Sequence, residues 1–222
     1  MAVSPRAGGS AAEIRFGRHA LPLQDHHGLR LALVESVDSL GRPFAPWEGS
    51  PVPVEHQIRG LESVRLTEAS LSVTAAFLES AMGFRYVATE GEWHRYGVVD
   101  ARSGRYVDVR EARGARRGAW GTGSIHHLAW RVDDEAHQAE VRTNVGAAGA
   151  QPTPVIDRFW FKSVYFREPG GVLFELATDG PGFAVDEDPA YLGEKLVLPP
   201  WLETNRAAIE AAIPKLAVRG SD

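Results

Sequence analysis

The sequence contains no cysteine among its 222 residues. This absence excludes a disulfide framework, a cysteine-based zinc site and thiol chemistry, and it fits the cytoplasmic location that we expect for the protein. No apolar run approaches the roughly 20 residues that cross a bilayer. The first ten residues, rich in Gly, Ser, Ala and Pro, lack the apolar core of a signal peptide, and we expect them to be a disordered lead-in.

Neither sign of charge dominates the chain. The 24 Lys and Arg residues face 29 Asp and Glu residues, which gives a net charge of −5 and a pI near 5.9. This balance offers no electrostatic reason for binding nucleic acid or an anionic membrane. The apolar share of 44% and the charged share of 24% are those of an ordinary globular protein,.

A weak internal repeat organises the sequence. Three segments, residues 21–35, 96–111 and 164–178, each combine two apolar or alternating stretches with a polar turn that contains glycine, as a β-hairpin requires,. Upstream of the second and third hairpins, strands are predicted over 61–66 and 125–132 and helices over 70–82 and 134–148. Further strands are predicted over 85–89 and 153–156. Gly83 and Gly149 follow the two helices, where C-caps are expected,.

The repeating unit is therefore β-α-β-β-β. It predicts an α+β fold of tandem modules. Residues 56–115 and 122–180 form two complete modules, and residues 1–37 contain the disordered lead and the closing hairpin of a further, truncated module. Residues 38–55, which include Pro43, Pro46, Pro51 and Pro53, are predicted to be a linker,. Residues 181–222 form a tail with a short amphipathic helix over 200–213.

The sharpest chemical signal lies in the last module. His126 and His127 fall within a predicted apolar strand, and Glu175 interrupts the apolar run from Val172 to Leu176. A carboxylate inside such a run is costly to bury unless it is paired or bound to a metal. Two imidazoles and one carboxylate are the ligands of the facial triad of non-haem Fe(II) enzymes. A single His or Glu is usually structural, but this combination on the first and last strands of one module favours a metal site.

The stretch from Gly123 to Phe183 resembles the last module of ring-cleaving dioxygenases of the vicinal-oxygen-chelate superfamily, in particular the hydroquinone-type branch. Its motifs are GSIHHLAWRVDD and PTPVIDRFWFKSVYFREPGGVLFELATDGPGF, and the tail motif LGEKLVLPPWLE resembles the same family. The resemblance runs from about residue 14 to 216, and it implies that the mixed sheets of the modules curve into half-barrels. It implies that His127 and Glu175 bind Fe(II), or alternatively Mn(II). It also implies that His126, Arg158 and Tyr165 are catalytic residues that orient an aromatic diol and assist proton transfer.

Other roles for these side chains stay open. Arg158 could pair with Asp157 or stack on an aromatic ring, and Tyr165 could be a core residue with its hydroxyl at the surface. Strict strand alternation places His126 and His127 on opposite faces. If His126 reaches the pocket, a bulge or an indirect contact is needed.

The preceding copies of the unit lack the same ligands. Ser63 aligns with His127, Glu62 with His126 and Asp108 with Glu175, while Ala32 takes the carboxylate position in the first hairpin. We therefore predict no metal in those copies, and we expect Asp108 to be a partly exposed or paired carboxylate. His26 and His27 fall in a turn, and the remaining histidines are expected at the surface.

The resemblance also implies a third ligand, a histidine from a module that would precede this chain, and nothing in the sequence aligns with it. On that basis we expect the last module to lack a partner module, the chain to self-associate or to require a missing N-terminal module, and the chain alone to be a poor enzyme.

Three functions follow. The first is a metal-dependent dioxygenase that uses dioxygen to cleave a hydroquinone or catechol. The second is a non-catalytic or decayed binding protein of the same superfamily. The third is a glyoxalase-type lyase or isomerase. The set His127, Glu175, Arg158 and Tyr165 favours the first, and the absent third ligand favours the second.

Overall fold

The repeated units fold as three separate sheets in the computed structural model, which describes residues 11–36, 44–98, 104–115 and 118–214. The first sheet is antiparallel, in the order β1-β2-β3. Its strands are β1 (Glu13–Arg15), β2 (Arg18–Gln24) and β3 (Arg30–Val34). The predicted disordered lead, the linker residues 38–43 and the end of the tail lie outside the described residues.

The middle module has the predicted β-α-β-β-β order. Its elements are β4 (Ser63–Glu68), α1 (Leu71–Ala81), β5 (Phe84–Glu90), β6 (Trp93–Val98) and β7 (Tyr106–Glu111). The sheet order is β4-β7-β6-β5, so the first strand lies parallel to the last strand through the helical crossover.

The last module repeats this topology. Its elements are β8 (Leu128–Arg131), α2 (Glu135–Ala147), β9 (Ile156–Asp157), β10 (Lys162–Arg167) and β11 (Leu173–Ala177). The order is β8-β11-β10-β9, with β8 parallel to β11. The α+β fold class with mixed sheets is confirmed. After the last module, 3₁₀ turns lead into α3 (Arg206–Ala212), which lies within the helix predicted over 200–213.

Both long helices end where the sequence predicts. Met82 and Ala148 are the C-caps, and the following Gly83 and Gly149 have φ angles of 71° and 91°. That left-handed conformation favours glycine, because a side chain at such a φ is strained. No helix in the described part of the chain is both long enough and apolar enough to cross a bilayer.

Two predicted strands differ in the structure, and one further strand was not predicted. The strand predicted over 125–132 begins only at Leu128, because its parallel partner β11 starts at Leu173 and offers no ladder before the Leu128–Phe174 pair. The strand predicted over 153–156 shrinks to β9, since Pro152 and Pro154 have no N–H to donate,. The sequence analysis missed β1, whose three residues are too few to show a pattern.

One apolar core joins the two complete modules. Alternate residues of their last strands, Val107 and Val109 in β7 and Phe174 and Leu176 in β11, are at most 1% exposed and belong to this core. Helices α1 and α2 contact each other across it. Because strand side chains alternate between faces, Asp108 and Glu175 point away from this shared core.

A buried hydrogen bond also connects the modules. The Thr74 hydroxyl of α1 donates to Glu168 Oε2 at 2.9 Å, and the Val172 backbone N–H donates to Glu168 Oε1 at 2.9 Å. Phe77 of α1 meets Phe166 of β10 with ring centroids 6.0 Å apart.

The first sheet contacts the opposite face of the middle module through its β1–β2 turn. At its β1–β2 turn, the Phe16 N–H donates to Glu90 Oε2 at 2.7 Å, and Arg18 pairs with Glu62 at 2.8 Å. The guanidinium of Arg95 lies 3.9 Å from the centroid of the Phe16 ring. These contacts bring the β1–β2 turn against the face of the middle module that carries Asp108, and Phe16, Arg18 and Arg95 line a cavity there.

Candidate active site in the last module

Glu175 is the buried centre of the candidate site. It lies in the middle of β11, is 3% exposed, and stands opposite Tyr165 in the antiparallel β10–β11 pair. Directly opposed residues share a face of the sheet, so their side chains meet. The Tyr165 hydroxyl donates a 2.9 Å hydrogen bond to Glu175 Oε1. Tyr165 itself is half-buried, and its hydroxyl bonds both the buried Glu175 and the exposed Arg158.

His127 approaches the other oxygen of the same carboxylate. Its Nε2 lies 2.7 Å from Glu175 Oε2, so the two side chains that are 48 residues apart in sequence are adjacent in the fold. This confirms the predicted proximity of His127 and Glu175. Their role as metal ligands stays a prediction.

His126 contacts His127 rather than pointing to the opposite face. The two Nδ1 atoms are 2.9 Å apart, so one ring must carry the proton between them,. The expected strand alternation is wrong here because both residues precede β8, where no ladder fixes their side chains. No bulge is needed. The His126 ring stacks on Trp120, with centroids 4.7 Å apart.

Arg158 reaches the site from the turn between β9 and β10. Its Nη2 donates to the Tyr165 hydroxyl oxygen at 3.3 Å, and its Nε donates to the buried Ser163 Oγ at 3.2 Å. The alternative pairing with Asp157 is not seen, because the Asp157 carboxylate accepts the Phe159 N–H instead. Among described residues, no carboxylate lies within 4 Å of the guanidinium of Arg158.

The five predicted site residues therefore form one continuous chain of contacts. It runs from His126 through His127, Glu175 and Tyr165 to Arg158. In residues 11–36, 44–98, 104–115 and 118–214, however, no group of three His, Asp or Glu side chains is arranged to hold a metal ion. One imidazole and one carboxylate fit two positions of a facial-triad site.

The corresponding position in the middle module is occupied by ion pairs. Asp108 is 0% exposed and receives two hydrogen bonds from Arg95, at 2.7 and 3.0 Å. Arg65 lies 3.5 Å from the same carboxylate. Burial holds the pKa of Arg65 below its ordinary value, repulsion from Arg15 adds to this, and Asp108 opposes it. We expected Asp108 to be either partly exposed or paired. It is paired and fully buried.

Sequence reasoning missed three residues around these sites. Trp120 stacks on His126 and receives the guanidinium of Arg167 at 5.2 Å on its ring. Ser163 anchors Arg158, and Arg95 neutralises Asp108. Only Arg95 could have been found from the sequence. It stands opposite Asp108 in the second hairpin, just as Tyr165 stands opposite Glu175 in the third hairpin.

The turn of the first sheet lies beside the segment that carries the two histidines. Gly123 has a φ of 81°, and a Cβ at this position would come within 2.4 Å of the His27 carbonyl oxygen. Both features require glycine. His26 and His27 themselves are exposed in the β2–β3 turn, as expected.

Comparison with known proteins gives related sequences over almost the whole chain. No protein-family model matches. The chain is 38% identical over 205 residues to the "Putative ring-cleaving dioxygenase MhqA" of Bacillus subtilis (strain 168), covering 90% of this chain and 64% of MhqA. It is 33% identical over 195 residues to the "Chlorohydroquinone/hydroquinone 1,2-dioxygenase" of Sphingobium indicum, covering 85% of this chain and 59% of that protein. The chain thus spans about two thirds or less of the length of these relatives.

A solved structure agrees with the fold. The crystal structure of a "putative dioxygenase" from Bacillus subtilis subsp. subtilis str. 168 superposes with a TM-score of 0.87 at 36% identity. The superposition covers 96% of this chain and 67% of that chain.

Proposed function

Because the chain belongs to the ring-cleaving dioxygenase family, we propose that its last module carries the site of a metal-dependent dioxygenase that cleaves an aromatic diol of the hydroquinone or catechol type. The observation that carries this proposal is the buried Glu175 carboxylate, held between His127 Nε2 and the Tyr165 hydroxyl. The name of the Sphingobium relative supports a hydroquinone as the substrate.

His127 and Glu175 would bind the metal, which we propose is Fe(II), with Mn(II) as the alternative. When bound, the ion would supply Lewis acidity and open positions for the diol and for dioxygen. His127 Nε2 and Glu175 Oε2 already lie 2.7 Å apart, so two ligand atoms converge without rearrangement of the backbone.

His126 holds His127 in the orientation that metal binding requires. With Nε2 of His127 used as a ligand, its Nδ1 must carry the proton and donate to Nδ1 of His126. His126 would then be the neutral tautomer with its own proton on Nε2, exposed at the pocket. That proton is the one we propose to be exchanged with the substrate.

Tyr165 and Arg158 form the end of the contact chain that would contact the substrate. The Tyr165 hydroxyl proton is directed at Glu175, while its oxygen accepts from Arg158. Arg158 has no carboxylate partner in the described part of the chain, so its remaining N–H donors are available to an ionised diol oxygen. A guanidinium can bind two oxygens at once in a fixed geometry.

The second candidate is a binding protein of the same superfamily that does not turn over. The observation that favours it is that the described residues supply two, and not three, ligands in one cluster. A diol would still meet Arg158 and Tyr165 in such a protein, but dioxygen would not be consumed.

Oxygen uptake on methylhydroquinone distinguishes the two candidates. The chain is purified under argon with one equivalent of Fe(II), and its metal content and oxygen consumption are measured with catechol and methylhydroquinone. Because we expect the chain alone to be a poor enzyme, the dioxygenase proposal expects slow, metal-dependent oxygen uptake that Glu175→Ala abolishes. Diol binding at full metal content, with oxygen uptake no faster than in Glu175→Ala, would support the binding protein instead.

Self-association is a further part of the proposal. Large apolar side chains remain exposed in and beside the last module, including Trp120 at 59%, Ile125 at 54% and Phe183 at 61%. Burying such surface favours association. Sedimentation velocity over a range of concentrations should show a dimer or larger species, and a monomer throughout the range would contradict the expectation.

A further inference from the structure

The turn that carries Arg158 has an unusual backbone. Residues 158–161 connect β9 to β10, and the Arg158 N–H closes the turn by donating to the Phe161 carbonyl at 2.9 Å. Phe159 has a φ of 73°, in the left-handed region that is uncommon for a bulky residue,. Such a conformation persists only where the surrounding structure fixes it, and it is concentrated at functional sites.

The C-terminal segment, residues 182–201, holds this turn through Trp160. The Gly182 N–H donates to the Trp160 carbonyl at 2.8 Å, and Trp160 Nε1 donates to Asp186 Oδ1 at 2.9 Å. The Trp160 ring also stacks on Phe183, with centroids 6.2 Å apart and planes at 26°. The C-terminal segment therefore holds Trp160 by a backbone hydrogen bond, a side-chain hydrogen bond and a ring contact.

The same segment holds Phe159 itself. Trp201 meets the Phe159 ring edge to face, with centroids 6.4 Å apart and planes at 82°. Because Phe159 directly follows Arg158 in this four-residue turn, a change in the backbone of Phe159 can displace Arg158.

Arg158 depends on this support. Its side chain is exposed, its two hydrogen bonds are long at 3.2 and 3.3 Å, and among described residues it has no carboxylate partner. An arginine in this setting has many accessible rotamers, and ordering them costs entropy. Its guanidinium also lies 5.4 Å from the centroid of the Tyr165 ring. The backbone of the turn and these side-chain contacts together set the direction of the Arg158 side chain.

We propose that the C-terminal segment is a clamp that sets the Arg158 guanidinium against Tyr165. Trp201, through Phe159, and Asp186, through Trp160, are positioning residues for the site. The proposal rests on the proposed function in one respect: it takes Arg158 to be the residue that meets the diol oxygen.

The test is a comparison of two aromatic residues with similar exposure in this segment. Trp201 is 54% exposed and touches the turn, whereas Tyr191 is 60% exposed and has no ring contact with the turn in the described part of the chain. Binding of methylhydroquinone is measured by calorimetry under argon with Fe(II) present. Trp201→Ala should weaken binding about tenfold, the size of effect typical for a group that supports a ligand residue. Tyr191→Ala should leave it unchanged.

The Arg158→Ala background shows whether the effect passes through Arg158. Arg158→Ala should weaken binding at least as much as Trp201→Ala, and the double variant should bind no worse than Arg158→Ala alone. If Arg158→Ala binds like wild type, the proposed role of Arg158 fails. If Arg158→Ala weakens binding while Trp201→Ala matches Tyr191→Ala, the clamp is overturned and the proposed function stands.

A spectroscopic readout covers the case in which the chain binds no diol. The Nε–Hε resonance of Arg158, assigned by its loss in Arg158→Ala, should shift in Trp201→Ala. It should shift less in Trp160→Phe, which keeps the ring on Phe183 but removes the donor to Asp186. An unchanged resonance in both variants would overturn the clamp without any reference to activity.

Discussion

The middle and last modules place a buried carboxylate at the same position of the same strand and give it different partners. Asp108 in β7 stands opposite Arg95, and Glu175 in β11 stands opposite Tyr165. Both carboxylates are at most 3% exposed. Asp108 is held by two guanidinium groups, whereas Glu175 is held by an imidazole and a phenol.

The difference shows how one fold position can serve two purposes. A carboxylate removed from water needs a compensating cation or hydrogen-bond donors. In the middle module the protein supplies that cation permanently, as Arg95. In the last module no Lys or Arg within the described residues pairs with Glu175, so a cation from solution can take this role. Asp108 is therefore already neutralised within the protein, whereas Glu175 is the carboxylate at which we propose that a metal binds.

The largest effect should come from removing the internal cation. Arg95→Ala leaves Asp108 buried with Arg65 as its remaining cation at 3.5 Å. Breaking a buried ion pair from one side typically costs about 3–5 kcal/mol of unfolding free energy. Urea denaturation of Arg95→Ala should show a loss of that size.

The control is an ion pair of similar length at the surface. Arg131 and Asp179 are 2.8 Å apart, but their side chains are 73% and 67% exposed. Arg131→Ala should cost under about 1 kcal/mol, because solvent screens such pairs. Equal losses in the two variants would show that Asp108 does not depend on Arg95.

The second prediction concerns metal retention. Glu175→Gln keeps the shape of the side chain but removes its charge, and we expect at least about a hundredfold loss in Fe(II) or Mn(II) affinity, measured by metal analysis after dialysis under argon. Asp108→Asn makes the same change in the middle module, where Arg95 takes the cation position, and should leave metal content unchanged. A loss of metal in Asp108→Asn would show that the metal binds in the middle module and would contradict the proposed site.

The fold was largely predictable because its signals are local. Alternating apolar residues around glycine turns identified the three hairpins, and Gly83 and Gly149 identified the helix ends. The segment with His126 and His127 was assigned wrongly to a strand, because strand formation there depends on where β11 begins, 46 residues further on.

The sequence predicted only those site residues whose type is unusual for the segment in which they lie. Glu175 is conspicuous as a carboxylate within an apolar strand. Arg95, Ser163 and Trp120 are ordinary residues for their segments, and their contacts arise only when separate strands and loops meet. The role of the C-terminal segment could not be predicted for the same reason.

A third prediction asks whether the middle module can be converted. Ser63→His, Arg65→Ala and Arg95→Tyr together copy the last module around Asp108, because Ala129 stands opposite Glu175 where Arg65 stands opposite Asp108. In a chain that also carries His127→Ala and Glu175→Gln, these three changes should raise Co(II) affinity about tenfold, a gain of about 1.4 kcal/mol. Calorimetry and the visible spectrum of Co(II) report it. If the folded variant gains no Co(II) site, the two carboxylate positions are not equivalent.

The smallest effect is expected at Tyr165. Tyr165→Phe removes one hydroxyl, which donates to Glu175 Oε1 and accepts from Arg158. One hydrogen bond contributes about 0.5–1.5 kcal/mol, so turnover of methylhydroquinone should fall by about tenfold or less. Metal content should hardly change, because His127 and Glu175 remain in place.

Arg95→Lys is the comparison at the equivalent position of the middle module, and it should alter stability and not turnover. An equal loss of metal and turnover in Tyr165→Phe would mean that the hydroxyl supports Glu175 as a ligand and has no separate contact with the substrate.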